Sequence, residues 1–140
     1  MKIYCAGPIK GNSTYHKNYS EIIEIVESLG HSALTEKSIQ FDFVTKLDAS
    51  QIYKRDINWI DESDVMIAEV SGPSLGVGFE ISYGLFVKKI KVLSLYNSST
   101  ASVSSMITGC DHSNLTIKKY ADTKELQEII NYFLKNCKSN

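Results

Sequence analysis

The stretch Asp64-Val65-Met66-Ile67-Ala68-Glu69-Val70-Ser71-Gly72-Pro73-Ser74-Leu75-Gly76-Val77-Gly78-Phe79-Glu80 decides how the rest of the chain is read. Asp64 to Val70 is a short apolar run of the kind found in strands buried on both faces. Ser71 to Gly78 reads as a loop, and Phe79 to Val87 as a helix. Strand, loop and helix in that order are the unit of a parallel sheet covered by helices. Backbone N–H groups around Gly76 and Gly78, with the Ser74 hydroxyl, can cradle an anion ahead of a helix. Glu80 is expected in the first helical turn, too near a bound phosphate to be its ligand. It is better placed to act on the group that carries the phosphate, which suggests a sugar phosphate. The plainer readings stand beside this one. Glycines also serve turns, and a glutamate early in a helix stabilises the macrodipole by about 0.3–1 kcal/mol. No Gly-Lys-Ser/Thr follows, so this is not a triphosphatase phosphate loop. The loop follows the third strand and lacks a third glycine, so it is not a dinucleotide fingerprint.

Outward from this stretch the same alternation continues. Met1–Ala6 reads as a buried strand broken by Gly7-Pro8. Tyr15–Leu29 carries Tyr19, Ile22, Ile23, Val26 and Leu29 at helical spacing, with Gly30 as its C-terminal cap. His31–Leu34 is a short strand. Thr35–Asp48 has no period and reads as a long loop or lid. Ala49–Asp61 is a helix, Lys91–Tyr96 and Leu115–Lys118 are strands, and Thr123–Leu134 is an amphipathic helix starting near Thr123. The serine-rich segment Asn97–Ser105 reads as a loop ending in a helix cap. The expectation is one α/β domain over residues 1–140: a flavodoxin-like, Rossmann-like parallel sheet of five strands with helices on both faces. Ligands of such sheets bind past the carboxyl ends of the strands.

Composition narrows the functional classes. Hydrophobic residues make up 43% and charged residues 22%, the balance of a soluble globular protein. The formal net charge of −1 gives no global basic field for nucleic acid or an anionic membrane. No apolar run approaches the roughly 20 residues that span a bilayer, and the chain opens on a strand rather than a signal peptide. Cys5, Cys110 and Cys137 have no short pair spacing, which argues against a disulfide framework or zinc site and for a cytoplasmic setting. No metal or other cofactor is expected.

Asp56, in Lys54-Arg55-Asp56-Ile57-Asn58-Trp59, lies near the inward stripe of its helix, and an inward aspartate needs a reason. Together Glu80 and Asp56 could form the pair of carboxylates that cleaves a bond at an anomeric carbon. His16, His31 and His112 are scattered and suggest neither a base nor a metal site. Ser104 and Ser105 read first as caps of a short helix through Met106. Tyr15, Tyr19, Phe41 and Phe43 read as core or lid residues.

These residues also carry a family resemblance. Ile3-Tyr4-Cys5-Ala6-Gly7-Pro8-Ile9-Lys10-Gly11 resembles the first loop of the 2'-deoxynucleoside 5'-phosphate N-hydrolases, which group with the nucleoside 2-deoxyribosyltransferases. Arg55-Asp56-Ile57-Asn58-Trp59, Ala68-Glu69-Val70 and Pro73 to Glu80 resemble that family's central block, and Ser104-Ser105-Met106-Ile107 its late Ser/Met segment. The resemblance implies a homodimer with shared active sites and a nucleoside 5'-monophosphate substrate. It implies that Glu80 attacks C1' to form a covalent glycosyl-enzyme. Asp56 would protonate or hydrogen-bond the leaving base, and Tyr4 would stand beside the nucleophile. Gly7, Ile9, Lys10, Gly11, Ser74, Gly76, Gly78, Ser104 and Met106 would hold the substrate, with Ser104 serving the neighbouring subunit's phosphate.

The chain departs from the pattern in places. Pro8 stands where the mammalian hydrolases have a serine, and Lys10 where they have arginine, so a bidentate fork becomes a point charge. Ile81-Ser82-Tyr83-Gly84 stands where Leu-Gly is usual. No Asn-x-Met segment lies near the end, which favours a hydrolase over a transferase. A base-exchanging deoxyribosyltransferase, a ribonucleotide glycosidase of the CMP type and a non-catalytic nucleotide-binding module are the alternatives.

Overall fold

The computed structural model describes residues 1–8, 13–36 and 47–137. Its centre is a five-stranded, wholly parallel sheet in the order β2-β1-β3-β4-β5. The strands are β1 (Lys2–Ala6), β2 (Ser32–Leu34), β3 (Val65–Glu69), β4 (Lys91–Asn97) and β5 (Leu115–Tyr120). The order is the flavodoxin-like one expected from the alternation of elements. It reverses direction of progress at β1 and β3, so the crevice beyond their carboxyl ends is the natural ligand position.

Alternation along the strands builds two cores. Ile3, Cys5, Val65, Ile67, Leu93 and Leu95 face one side, against α1 (His16–Ser28) and α5 (Thr123–Cys137). Tyr4, Ala6, Met66, Ala68 and Val92 face the other. There they meet Ile60 of α2 (Ala49–Glu62), with Val77 and Ile81 of α3 (Leu75–Ser82). Burial of each large aliphatic side chain contributes about 1.5–3 kcal/mol, so both faces share in stability.

Local chemistry sets the helix ends. Gly30 lies in the left-handed region, φ 78°, and closes α1 as expected. Asp48 caps α2 in a reciprocal box with Gln51. Helix α5 starts at Thr123 as expected, capped by Asp122: Glu125 N donates to its Oδ1 at 2.9 Å, and Ala121 N to Glu125 Oε2 at 2.7 Å. Ser104 caps the single turn α4 (Ser105–Thr108), accepting from Met106 N at 3.3 Å.

Two boundaries differ from the sequence reading. Helix α3 begins at Leu75, because the Ser74 hydroxyl accepts from Val77 N at 3.3 Å and caps it there. Gly76 and Gly78 are therefore helical, and Glu80 lies in the second turn rather than the first. Past Ser82 the helix widens into a π-helical segment, Tyr83–Lys88, ending at Lys89 in the left-handed region. Buried Gly84 lets that segment close on the sheet: a Cβ there would meet Met66 Cε at 3.0 Å.

Candidate active site

Tyr4, Asp56 and Glu80 come from β1, α2 and α3, and the fold brings all three together. Tyr4 points to the α2/α3 side of the sheet and is buried. Its hydroxyl hydrogen-bonds the Glu80 carboxylate, and the charges of Glu80 and Asp56 both act on it. Burial, followed by those two charges, raises the Tyr4 pKa far above the usual phenol range, so Tyr4 remains a donor. Burial pushes the Glu80 carboxyl up to about 7, with a further rise from Asp56; the Tyr4 hydrogen bond and Arg55 pull it back. A carboxylate poised near neutrality, with a fixed donor at its side, suits nucleophilic work at an electrophilic carbon.

Asp56 is held from the side by Arg55. Arg55 Nε donates to Asp56 Oδ1 at 2.9 Å, its Nη1 pairs with Glu36, and its guanidinium sits 4.7 Å from the Trp59 ring centroid. The clamp fixes both the orientation of Asp56 and a positive charge beside Glu80. Arg55 was legible only as a neighbour of Asp56. Its role follows from the fold, which brings Glu36 from the end of β2 to meet it.

The expected anion-binding residues Ser74, Gly76 and Gly78 lie at the cap and in the first turn of α3. An added Cβ at Gly78 would meet nothing within 4 Å, and at Gly76 only Ser74 Oγ at 3.9 Å. Neither glycine is required by packing or by a positive φ, so both leave open space over the turn. Gly7 is different: a Cβ there would lie 2.2 Å from the Tyr19 ring. Tyr19 also donates to Cys5 O at 2.9 Å and contacts Thr35 Oγ1. Gly72 is covered in the same way by Tyr15, 2.6 Å from an added Cβ. Aromatic residues at and just before the start of α1 thus press on the loops after β1 and β3.

Ser104 and Met106 are exposed and line a groove of about 990 Å³ with Ser74, Gly78 and Phe79. Tyr4, Asp56 and Glu80 do not line it. Within one chain, then, the late serine segment faces the outer side of α3 and not the carboxylates. Ile9, Lys10 and Gly11, and residues 37–46 of the expected lid with Phe41 and Phe43, lie outside the described residues. Among the described residues, no helix is long and apolar enough to cross a membrane.

Residues 3–126 match the family described as nucleoside 2-deoxyribosyltransferase. The chain belongs to that family. Among its relatives is a Thermofilum pendens protein provisionally named 2'-deoxynucleoside 5'-phosphate N-hydrolase 1, 34% identical over 96% of this chain and 95% of its own. A 5-hydroxymethyl-dUMP N-hydrolase of Tetraodon nigroviridis is 33% identical over 99% of this chain and the whole of its own. The deoxyribosyltransferase fold is also seen in the CMP N-glycosidase of Clostridium botulinum. That structure has a TM-score of 0.69 and 19% identity, over 95% of this chain and 99% of its own.

The three polar groups come from the middle of β1, from α2 and from α3, all on the same side of the family's sheet. One further buried acid, Glu69, escaped the sequence reading. The signal was present: a charged residue inside the apolar run of β3, in a strand buried along its whole length.

Proposed function

We propose that the chain is an N-glycosidase that hydrolyses the N-glycosidic bond of 2'-deoxynucleoside 5'-monophosphates to free base and deoxyribose 5-phosphate. The observation that carries this reading is the Tyr4–Glu80 pair, with Asp56 acting on both and Glu80 on the same helix as an uncluttered N-terminal turn. The turn at Ser74, Gly76 and Gly78 holds the 5'-phosphate, with Gly7, Ile9, Lys10 and Gly11 kept in this proposal as substrate-binding residues. Glu80 attacks C1', while Tyr4 orients it. The electron pair of the C1'–N bond leaves with the base, and Asp56 protonates or hydrogen-bonds it. Water then attacks C1' of the glycosyl ester and restores Glu80. Relatives named as N-hydrolases, aligned over nearly the full chain, support hydrolysis over base exchange.

The active unit in this reading is a homodimer with shared sites. The face that carries the groove also carries exposed Leu75, Phe79, Phe86 and Met106, a pattern suited to a self-complementary interface. Ser104 and Met106 would there reach the partner's phosphate. A cytoplasmic location is part of the proposal, resting on cysteines with no short pair spacing.

The deciding experiment is a panel of deoxy- and ribonucleoside 5'-monophosphates, and the matching nucleosides, scored for free base by chromatography. Base release confined to the phosphorylated deoxy substrates is expected. Base exchange on unphosphorylated nucleosides, without net hydrolysis, would assign the chain to the transferases instead.

A further inference from the structure

Glu69 ends β3, the central strand of the sheet, and is wholly buried. Along β3, Val65 and Ile67 face α1 and α5, so by alternation Glu69 faces that side too, opposite to Glu80. A carboxyl group buried alone costs several kcal/mol, and an apolar residue of similar size is often the more stable choice. Glu69 is instead surrounded by donors. Ser71 N donates to its Oε2 at 3.2 Å, the Ser71 hydroxyl to its Oε1, and the Tyr120 hydroxyl to Oε1 at 3.5 Å. The Asn18 side chain adds a further hydrogen bond. Ser71 Oγ in turn accepts from Asn97 N at 2.8 Å.

One carboxyl therefore ties together the ends of β3, β4 and β5 with α1. Through Ser71 it fixes the start of the turn 71–74, which two further contacts hold. Ser71 is held by both oxygens, Gly72 lies under Tyr15, and Ser74 caps α3. A glutamine replaces it imperfectly. The Ser71 N–H and hydroxyl donate to different oxygens, and an amide puts an N–H₂ at one of those two positions.

We infer that Glu69 is a positioning residue of the nucleotide site: its buried carboxyl sets the turn 71–74, and through it the first turn of α3 that receives the 5'-phosphate. It touches no reacting atom. The inference rests on the proposal that α3 holds the phosphate, and the two can fail separately.

The test begins with the unaltered protein. Its catalytic efficiency on a deoxynucleoside 5'-monophosphate is compared with that on the bare deoxynucleoside, and inorganic phosphate is titrated as a competitor. No preference for the nucleotide and no competition would remove the phosphate reading, and this inference with it. Given a preference, Glu69→Gln and Ser71→Ala are measured in the same way. A displaced phosphate turn should cost about tenfold or more on the nucleotide, because small misplacements are expensive in bound geometry. The loss should appear mainly as a raised KM, inorganic phosphate should compete correspondingly more weakly, and the nucleoside rate should fall far less. Equal losses on both substrates, or phosphate competition unchanged in a folded variant, would overturn the inference and leave Glu69 a purely structural group. Ser71→Ala keeps the backbone N–H and removes only the hydroxyl, so it carries the test should Glu69→Gln not fold.

Discussion

At the scale of single residues, the site is a balance of charges around Glu80. Its carboxyl is held at about 7, first by burial and then by Asp56. The folded pKa lies above the usual carboxylate value, so the folded chain binds more protons than the unfolded one between about 4.5 and 7. Stability therefore falls as pH rises through that window, by on the order of 3 kcal/mol once Glu80 is fully ionised. Glu80→Gln removes that burden. It should abolish nearly all turnover yet unfold at a higher temperature than the unaltered protein at pH 8, with the difference closing by pH 4. Thermal melts at the two pH values check this, and equal melting behaviour at pH 8 would remove the strained carboxylate. Catalysis should show the reverse trend, rising through about pH 7 as the nucleophile ionises. Arg55 favours the ionised form. Replacing it with Gln should move the rising limb of the pH–rate profile to higher pH, with partial recovery in alkaline buffer. A limb that does not move would confine Arg55 to orienting Asp56.

At the scale of elements, α3 shows where the sequence was readable and where it was not. Strand β3 and the helix after it were legible because a buried parallel strand is nearly all apolar. The helix start was not. Gly76 and Gly78 signal a loop by propensity, each weaker than alanine in a helix by about 1 kcal/mol. The Ser74 cap and the buried Val77 outweigh that signal. Asp56 was legible from its place on the inward stripe of α2. The Arg55–Glu36 pair was not, since its partners are 19 residues apart, and of the Glu69 network only the acid within an apolar run was visible, since Tyr120 reaches it from 51 residues away. The open space at Gly78 allows a sharp test. Gly78→Ala should stabilise the fold by about 0.5–1 kcal/mol through helix propensity alone. If the turn receives phosphate, the same methyl should raise the KM for nucleotides and weaken competition by inorganic phosphate. A stabilised variant with unchanged nucleotide kinetics would move the phosphate elsewhere.

At the scale of the whole molecule, the question is whether one chain builds one site. Ser104 has a sufficient local task, since its hydroxyl accepts from Met106 N as the cap of α4. Loss of such a cap costs about 1 kcal/mol and by itself leaves activity alone. Yet the Ser104 segment lines a groove on the outer side of α3, away from its own Glu80, on a face that exposes Leu75, Phe79, Phe86 and Met106. In a twofold dimer across that face, each subunit's α4 would approach the other's α3. Two inactive variants then complement each other. Glu80→Gln would lack the proposed nucleophile, and Ser104→Asp would repel the substrate phosphate. In a mixed dimer, one site carries both lesions and the other neither. Random exchange of equal amounts makes half the dimers mixed, each with one working site, so activity should return to about a quarter of the unaltered level. Mixing should be preceded by a demonstration of exchange, for instance with two differently labelled chains. Exchange without recovered activity would mean that each chain assembles its site alone, and that the exposed apolar face serves some other contact.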